Sequence, residues 1–123
     1  MLVLLVALGG ALGSVTRYLV SQAVHRISSP FFPYGTFVVN VTGCLVFGLF
    51  AGLANERGPL GTGGRAFLLV GLLGGYTTFS TFGFETFELV RTARFGAAMA
   101  NAGGQVILGV AGLWLGLVLS RAL

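Results

Sequence analysis

Gly71-Leu72-Leu73-Gly74-Gly75-Tyr76-Thr77-Thr78-Phe79-Ser80-Thr81-Phe82 is the stretch on which the fold of this chain turns. It sits at the centre of an uncharged run of 19 residues, 66–84, close to the ~20 residues that carry a helix across hydrocarbon. Adjacent Gly74 and Gly75 each cost about 1 kcal/mol in a helix interior relative to Ala. Thr77 and Thr78 are good caps for a new helix start. The stretch therefore predicts a break in the third helix near mid-membrane. Backbone freed at that depth is tolerated only where it faces protein, water or an ion, and transporters use such breaks to grip cations with carbonyls. A glycine-mediated close helix crossing accounts for the same glycines, and the sequence leaves both readings open.

Outward from this stretch the chain repeats one pattern. Apolar residues make up 55% of its 123 residues and charged residues 8%, where soluble domains carry about one-quarter charged. So few charges cannot cover a water-facing surface, whereas a lipid-facing one needs none. Four spans are expected, at about 2–24, 33–55, 66–90 and 95–119, in one membrane domain over 1–123. The fold class is thus an all-α integral membrane protein with four transmembrane helices. The N-terminal run has no Lys or Arg ahead of it and reads as a retained helix rather than a cleaved signal. Gly9 with Gly13, Gly48 with Gly52 and Gly112 with Gly116 are small-xxx-small pairs that read as packing signals.

The charges exclude several functions. The pI near 10.3 comes from seven Arg against three Glu, and the Arg stand at the ends of apolar runs, not in one patch. That pattern suits a membrane–water boundary rather than a nucleic-acid surface. His25 and Cys44 are the only residues of their kinds, so no side-chain metal cluster is expected. The chain has no Lys, hence no Walker-type phosphate loop. With the N-terminus on one side, Arg57, Arg65 and Arg121 lie on that side and Arg26, Arg91 and Arg94 on the other. Basic residues normally set orientation by their excess on the cytoplasmic side. The balance here predicts insertion either way up and an antiparallel, dual-topology homodimer.

Several polar residues stand where they are expensive. Asn40 lies seven residues into the second helix, roughly 10 Å below its start. Thr36, Asn40, Gly43 and Phe47 share a face, and Asn101 and Gln105 share one on the fourth helix. Such amides either bond between helices or line an ion path, offering N–H donors without a fixed charge to trap an anion. Phe79 and Phe82 fall on one face, and their positive ring edges suit a narrow anion route flanked by Thr78, Ser80 and Thr81. Arg17, inside the first helix, is read as snorkelling or as holding positive potential at a pore mouth. Glu85 and Glu88 are expected to pair with Arg91 or Arg94 at the interface.

Three segments together resemble the Fluc (CrcB-type) fluoride channels. They are Gly9-Gly10-Ala11-Leu12-Gly13-Ser14-Val15-Thr16-Arg17-Tyr18, Gly35-Thr36-Phe37-Val38-Val39-Asn40-Val41-Thr42-Gly43 and Gly74-Gly75-Tyr76-Thr77-Thr78-Phe79-Ser80-Thr81-Phe82. They stand in order and cover the chain. The resemblance implies an antiparallel homodimer in the cell membrane with two fluoride pores, each lined by both subunits. Asn40 would be the pore amide, Phe79 and Phe82 the aromatic pair, Arg17 near an entrance, and Ser80 and Thr81 hydroxyls along the path. Asn101 and Gln105 would be the polar pair of the fourth helix. It also implies a structural sodium ion (Na+) at the dimer interface, held by backbone carbonyls of Gly74 and Thr77 from both subunits. The implied activity is not enzymatic. It is passive export that lowers cytoplasmic fluoride and relieves its toxicity, after neutral hydrogen fluoride has entered and dissociated.

Two other readings compete. A small multidrug exporter has the same size and helix count but needs a membrane-embedded carboxylate in its first helix, which this chain lacks. A non-conducting assembly subunit would explain the glycines but not Asn40, the broken helix and the phenylalanine pair together.

Overall fold

The computed structural model describes residues 1–54 and 60–123. Four long apolar helical spans, Leu2–Ile27, Tyr34–Leu53, Thr62–Arg91 and Phe95–Ser120, match the expected number, and the third begins at Thr62, four residues before the expected 66. The first is α1 (Leu2–Ile27) and the second α2 (Tyr34–Leu53). The third comprises α3 (Thr62–Arg65), a π-helical stretch (Ala66–Leu73), α4 (Gly74–Tyr76) and α5 (Phe79–Arg91). The last is α6 (Phe95–Ser120). α1 runs past the expected 24 because His25 and Arg26 in its last turn suit the negative end of a helix. Of the Gly-rich turn expected between the second and third spans, Glu56, Arg57, Gly58 and Pro59 lie outside the described residues.

Little apolar side chain is buried within one chain: Val39, Ala54, Leu73, Leu89 and Ala98. Phe84, Ile107 and Trp114 are instead about two-thirds exposed, at 66%, 68% and 65%. In water such a surface would drive aggregation; in lipid it is the favoured one. Lipid gives no hydrophobic force between helices, so close backbone approach holds the bundle. A Cβ on Gly13 would overlap the Leu72 carbonyl and stand 2.9 Å from Tyr76 N. One on Gly75 would stand 2.6 Å from the Gly10 carbonyl oxygen. α1 and the first half of the third span thus touch main chain to main chain. Gly48 and Gly116 do the same between α2 and α6, against the Leu113 and Leu45 carbonyls.

The third span does break, but two residues after the paired glycines. Gly74 and Gly75 stay helical, while Thr77 (φ −80°, ψ 158°) and Thr78 (φ −150°, ψ 115°) are extended. α5 restarts from Thr78, whose hydroxyl accepts from Thr81 N–H as a helix cap. α5 and α6 join through Ala93, the one non-glycine residue with positive φ (58°) among those described. Arg94 N–H and Ala93 N–H close this end onto the Leu89 and Val90 carbonyls at 2.8 and 2.9 Å.

Candidate functional site

An extended pair in the middle of a span leaves backbone groups that lipid cannot satisfy. Asn40 satisfies them. Thr78 N–H donates to Asn40 Oδ1 at 2.8 Å, and Asn40 Nδ2 donates to the Thr78 carbonyl at 3.0 Å. The side-chain amide thus replaces a neighbouring strand. Gly43, one turn on, leaves the room this needs, because a Cβ there would overlap the Thr77 methyl. Thr77 closes the earlier half: its N–H and hydroxyl both donate to the Leu73 carbonyl, at 3.0 and 2.9 Å. Its own carbonyl accepts from Arg17 Nη1 at 3.3 Å.

From Asn40 a line of hydrogen bonds runs into α6 and back to α5. Asn40 Nδ2 donates to Gln105 Oε1 at 2.7 Å, and Gln105 Nε2 donates to Asn101 Oδ1 at 2.8 Å. Asn101 Nδ2 donates to Thr86 Oγ1 at 2.9 Å, and that hydroxyl donates to the Phe82 carbonyl at 2.7 Å. Asn101 and Gln105 are buried, where an unmade hydrogen bond would cost about 1–3 kcal/mol.

Two hollows meet at Thr78. A groove of about 390 Å³ is bounded by Asn40, Thr78, Phe79, Phe82 and Gln105, with Cys44 on its apolar wall. Its aromatic rings lie 5.5 Å apart at 45°. On the other side a cavity of about 240 Å³ is walled by Ser14, Arg17, Ser21, Thr36, Thr78 and Thr81. Among the described residues, Arg17 is the only charged one on that wall. A cationic, hydroxyl-lined chamber and an aromatic groove therefore share one residue at the helix break. The cavity thus presents a guanidinium and hydroxyls, and the groove amide and aromatic side chains.

Of the two acidic residues on α5, Glu88 pairs with Arg91 as expected and Glu85 does not. Arg91 binds Glu88 at 2.6 Å on the surface, a pair worth little. Arg94 instead donates to the Phe31 carbonyl and lies 5.8 Å over the Phe31 ring. Glu85 turns inward because its place on α5 faces α2, and it accepts from Thr36 Oγ1 at 2.8 Å. Its Oε2 is buried without a hydrogen-bond partner among the described residues.

Asn40, Phe79, Phe82 and Gln105 are thus brought to one groove, and Arg17 and Thr81 to the adjoining cavity. Asn101 is fully buried behind Gln105 and lines neither. Ser80 is exposed and also lines neither. Sequence reasoning missed Thr86 and the inward role of Glu85. The signal for Thr86 was a hydroxyl four residues after Phe82, on the same helix face. The carbonyls named for sodium have the right chemistry. Thr78 N–H, which would continue the ladder to Gly74, donates to Asn40, so the Gly74 oxygen is released. The Thr77 oxygen already faces one cationic group, Arg17.

Residues 4–117 match the profile of the CrcB-like protein, Camphor Resistance (CrcB) family. A fluoride-specific ion channel FluC of Nitrobacter winogradskyi is 47% identical over 98% of this chain and 96% of its own length. That of Nitratidesulfovibrio vulgaris is 47% identical over 97% and 96%. That of Solibacter usitatus is 48% identical over 96% and 97%.

Proposed function

The chain belongs to the CrcB-like family, and from that premise we propose that it is a fluoride-selective channel through which cytoplasmic fluoride leaves passively. It is a multi-pass membrane protein and not an enzyme. The observation that carries the reading is Asn40, whose amide holds the helix break where the Arg17 chamber and the Phe79/Phe82 groove meet. Fluoride gathers against Arg17 and the hydroxyls of Ser14, Ser21 and Thr81. At Thr78 and Asn40 it exchanges water for donors that are otherwise bonded to Asn40, Thr81 and Gln105, then moves along the ring edges of Phe79 and Phe82. None of these groups but Arg17 bears charge, so no strong trap holds the ion. An inside-negative potential drives it out, by about 2.3 kcal/mol per 100 mV for one charge.

The working unit in this proposal is an antiparallel homodimer. Phe79 is 83% exposed in one chain, and the groove is open on that side, where a second copy completes the wall. The near-even split of Arg between the two ends supports both insertion directions. At the two-fold axis the Gly74 and Thr77 carbonyls of both subunits would hold Na+. Their neutral oxygens suit a hard monovalent cation, and each carbonyl has two lone pairs, so Thr77 can serve both Arg17 and the ion. When bound, the ion offsets the converging carbonyl dipoles.

The test is efflux from liposomes holding only this protein, under an imposed potential, read with fluoride and chloride electrodes. Rapid fluoride loss with negligible chloride loss is expected. No fluoride flux from the folded dimer would remove the channel assignment.

A further inference from the structure

The hydrogen bonds between Asn40 and Phe82 have a direction fixed from both ends. Thr78 N–H can only donate and its carbonyl can only accept, so Asn40 must present Oδ1 to the one and Nδ2 to the other. Gln105 must then offer Oε1 to Asn40, and its Nε2 must face Asn101 Oδ1. At the far end the Phe82 carbonyl takes the Thr86 proton, so Thr86 must accept from Asn101 Nδ2. Both constraints give the same polarity.

The consequence falls on Asn40. Its Nδ2 has two hydrogens. One is held by the Thr78 carbonyl and the other by Gln105 Oε1, so neither is free for an anion in the groove. We infer that Gln105 is a positioning and specificity-determining residue for fluoride passage: an anion gains the second N–H of Asn40 only by displacing Gln105 Oε1. This rests on the channel reading above. It makes the site a competition between a neutral amide oxygen and the passing ion. A small, charge-dense fluoride forms a short, charge-assisted bond that outweighs the amide oxygen. A larger halide forms a longer, weaker bond and does not displace it. Asn101 and Thr86 act through Gln105, since they keep its oxygen turned to Asn40 and add the polarisation of a hydrogen-bond chain.

The experiment measures flux against anion concentration for wild-type, Gln105→Met and Thr86→Val channels in liposomes, with fluoride and with chloride. Met matches Gln in length but has no amide oxygen to hold the Asn40 hydrogen. Gln105→Met is expected to lower the half-saturating fluoride concentration and to reduce fluoride-over-chloride selectivity about tenfold. Thr86 lines neither hollow and meets the groove only through the Phe82 main-chain carbonyl and Asn101, so Thr86→Val should move both quantities in the same direction, about two- to threefold. If Gln105→Met does not yield folded dimer, Thr86→Val decides alone. A wild type that conducts, with half-saturation and selectivity unmoved in the folded variants and only maximal flux reduced, would overturn the inference. A wild type that does not conduct fluoride would overturn the channel reading, and the inference with it.

Discussion

Two neighbouring regions of the third span are built on opposite principles. Up to Tyr76 the span approaches α1 main chain to main chain, with Gly9, Gly13, Gly71 and Gly75 leaving out the Cβ atoms that would hold the two helices apart. One residue later, at Thr77–Thr78, it meets α2 through side-chain hydrogen bonds, with Asn40 replacing the missing helix partners. The first region has no room for a Cβ at Gly9, Gly13, Gly71 or Gly75. The second keeps open space on both sides and concentrates the polar groups. In a bilayer, small residues supply the adhesion that a hydrophobic core supplies in water. Polar residues can then be confined to the place where backbone must leave the helix.

Substitutions at the two regions should therefore fail differently, and the largest effect belongs to the seam. Gly13→Leu places a side chain against the Leu72 carbonyl and Tyr76 N. Overpacking of this kind costs about 3 kcal/mol. Loss of folded protein from detergent extracts, read by size-exclusion chromatography, is the expected outcome; a normal elution profile would show that the seam can yield.

At the break, folding should survive while flux falls. Asn40→Asp still accepts from Thr78 N–H but donates to neither the Thr78 carbonyl nor Gln105, and it adds a charge that repels anions. The carboxylate has no N–H to offer the passing ion, and loss of a hydrogen bond to a charged group, about 2.8 kcal/mol, predicts roughly a hundredfold lower fluoride flux. Unchanged flux would take Asn40 out of the pathway. Phe79→Ala and Phe82→Ala should each lower flux about tenfold. Phe79 is exposed in the single chain, so thermal stability of its variant should change little. Wild-type rates in both variants would return the rings to packing.

The smallest effect lies away from both regions. Ala93 has φ 58° at the α5–α6 turn, a conformation glycine adopts without strain. Ala93→Gly should raise stability by no more than about 1 kcal/mol and leave flux alone. It is a control that thermal unfolding can read.

Much of this was legible in the sequence. The four spans follow from charge spacing, since no charge interrupts 33–55 or 66–84. Of the two readings of Gly74 and Gly75, close packing describes Gly75, which meets Gly10, and a break describes the threonines after them. Glycine propensity alone misplaces the break, because a glycine pressed against another backbone is held helical by that contact. The residues that fix the break, Thr77, Thr78 and Asn40, were visible as caps and as a buried amide. Less legible was which amide hydrogens are engaged. Asn101 and Gln105 look alike one turn apart on α6, yet one is fully buried and the other borders the groove. Glu85 looked like an interfacial partner for Arg91 or Arg94 because periodicity gives a helix face but not which neighbour that face meets.

The most direct test of the account is the side-chain 15N–1H signal of Asn40 in protein reconstituted in bilayers, followed as fluoride and then chloride is added. A saturable shift with fluoride and none with chloride is the predicted result. An Asn40 signal unmoved by fluoride, in a preparation that conducts it, would place the ion's path elsewhere and contradict the account.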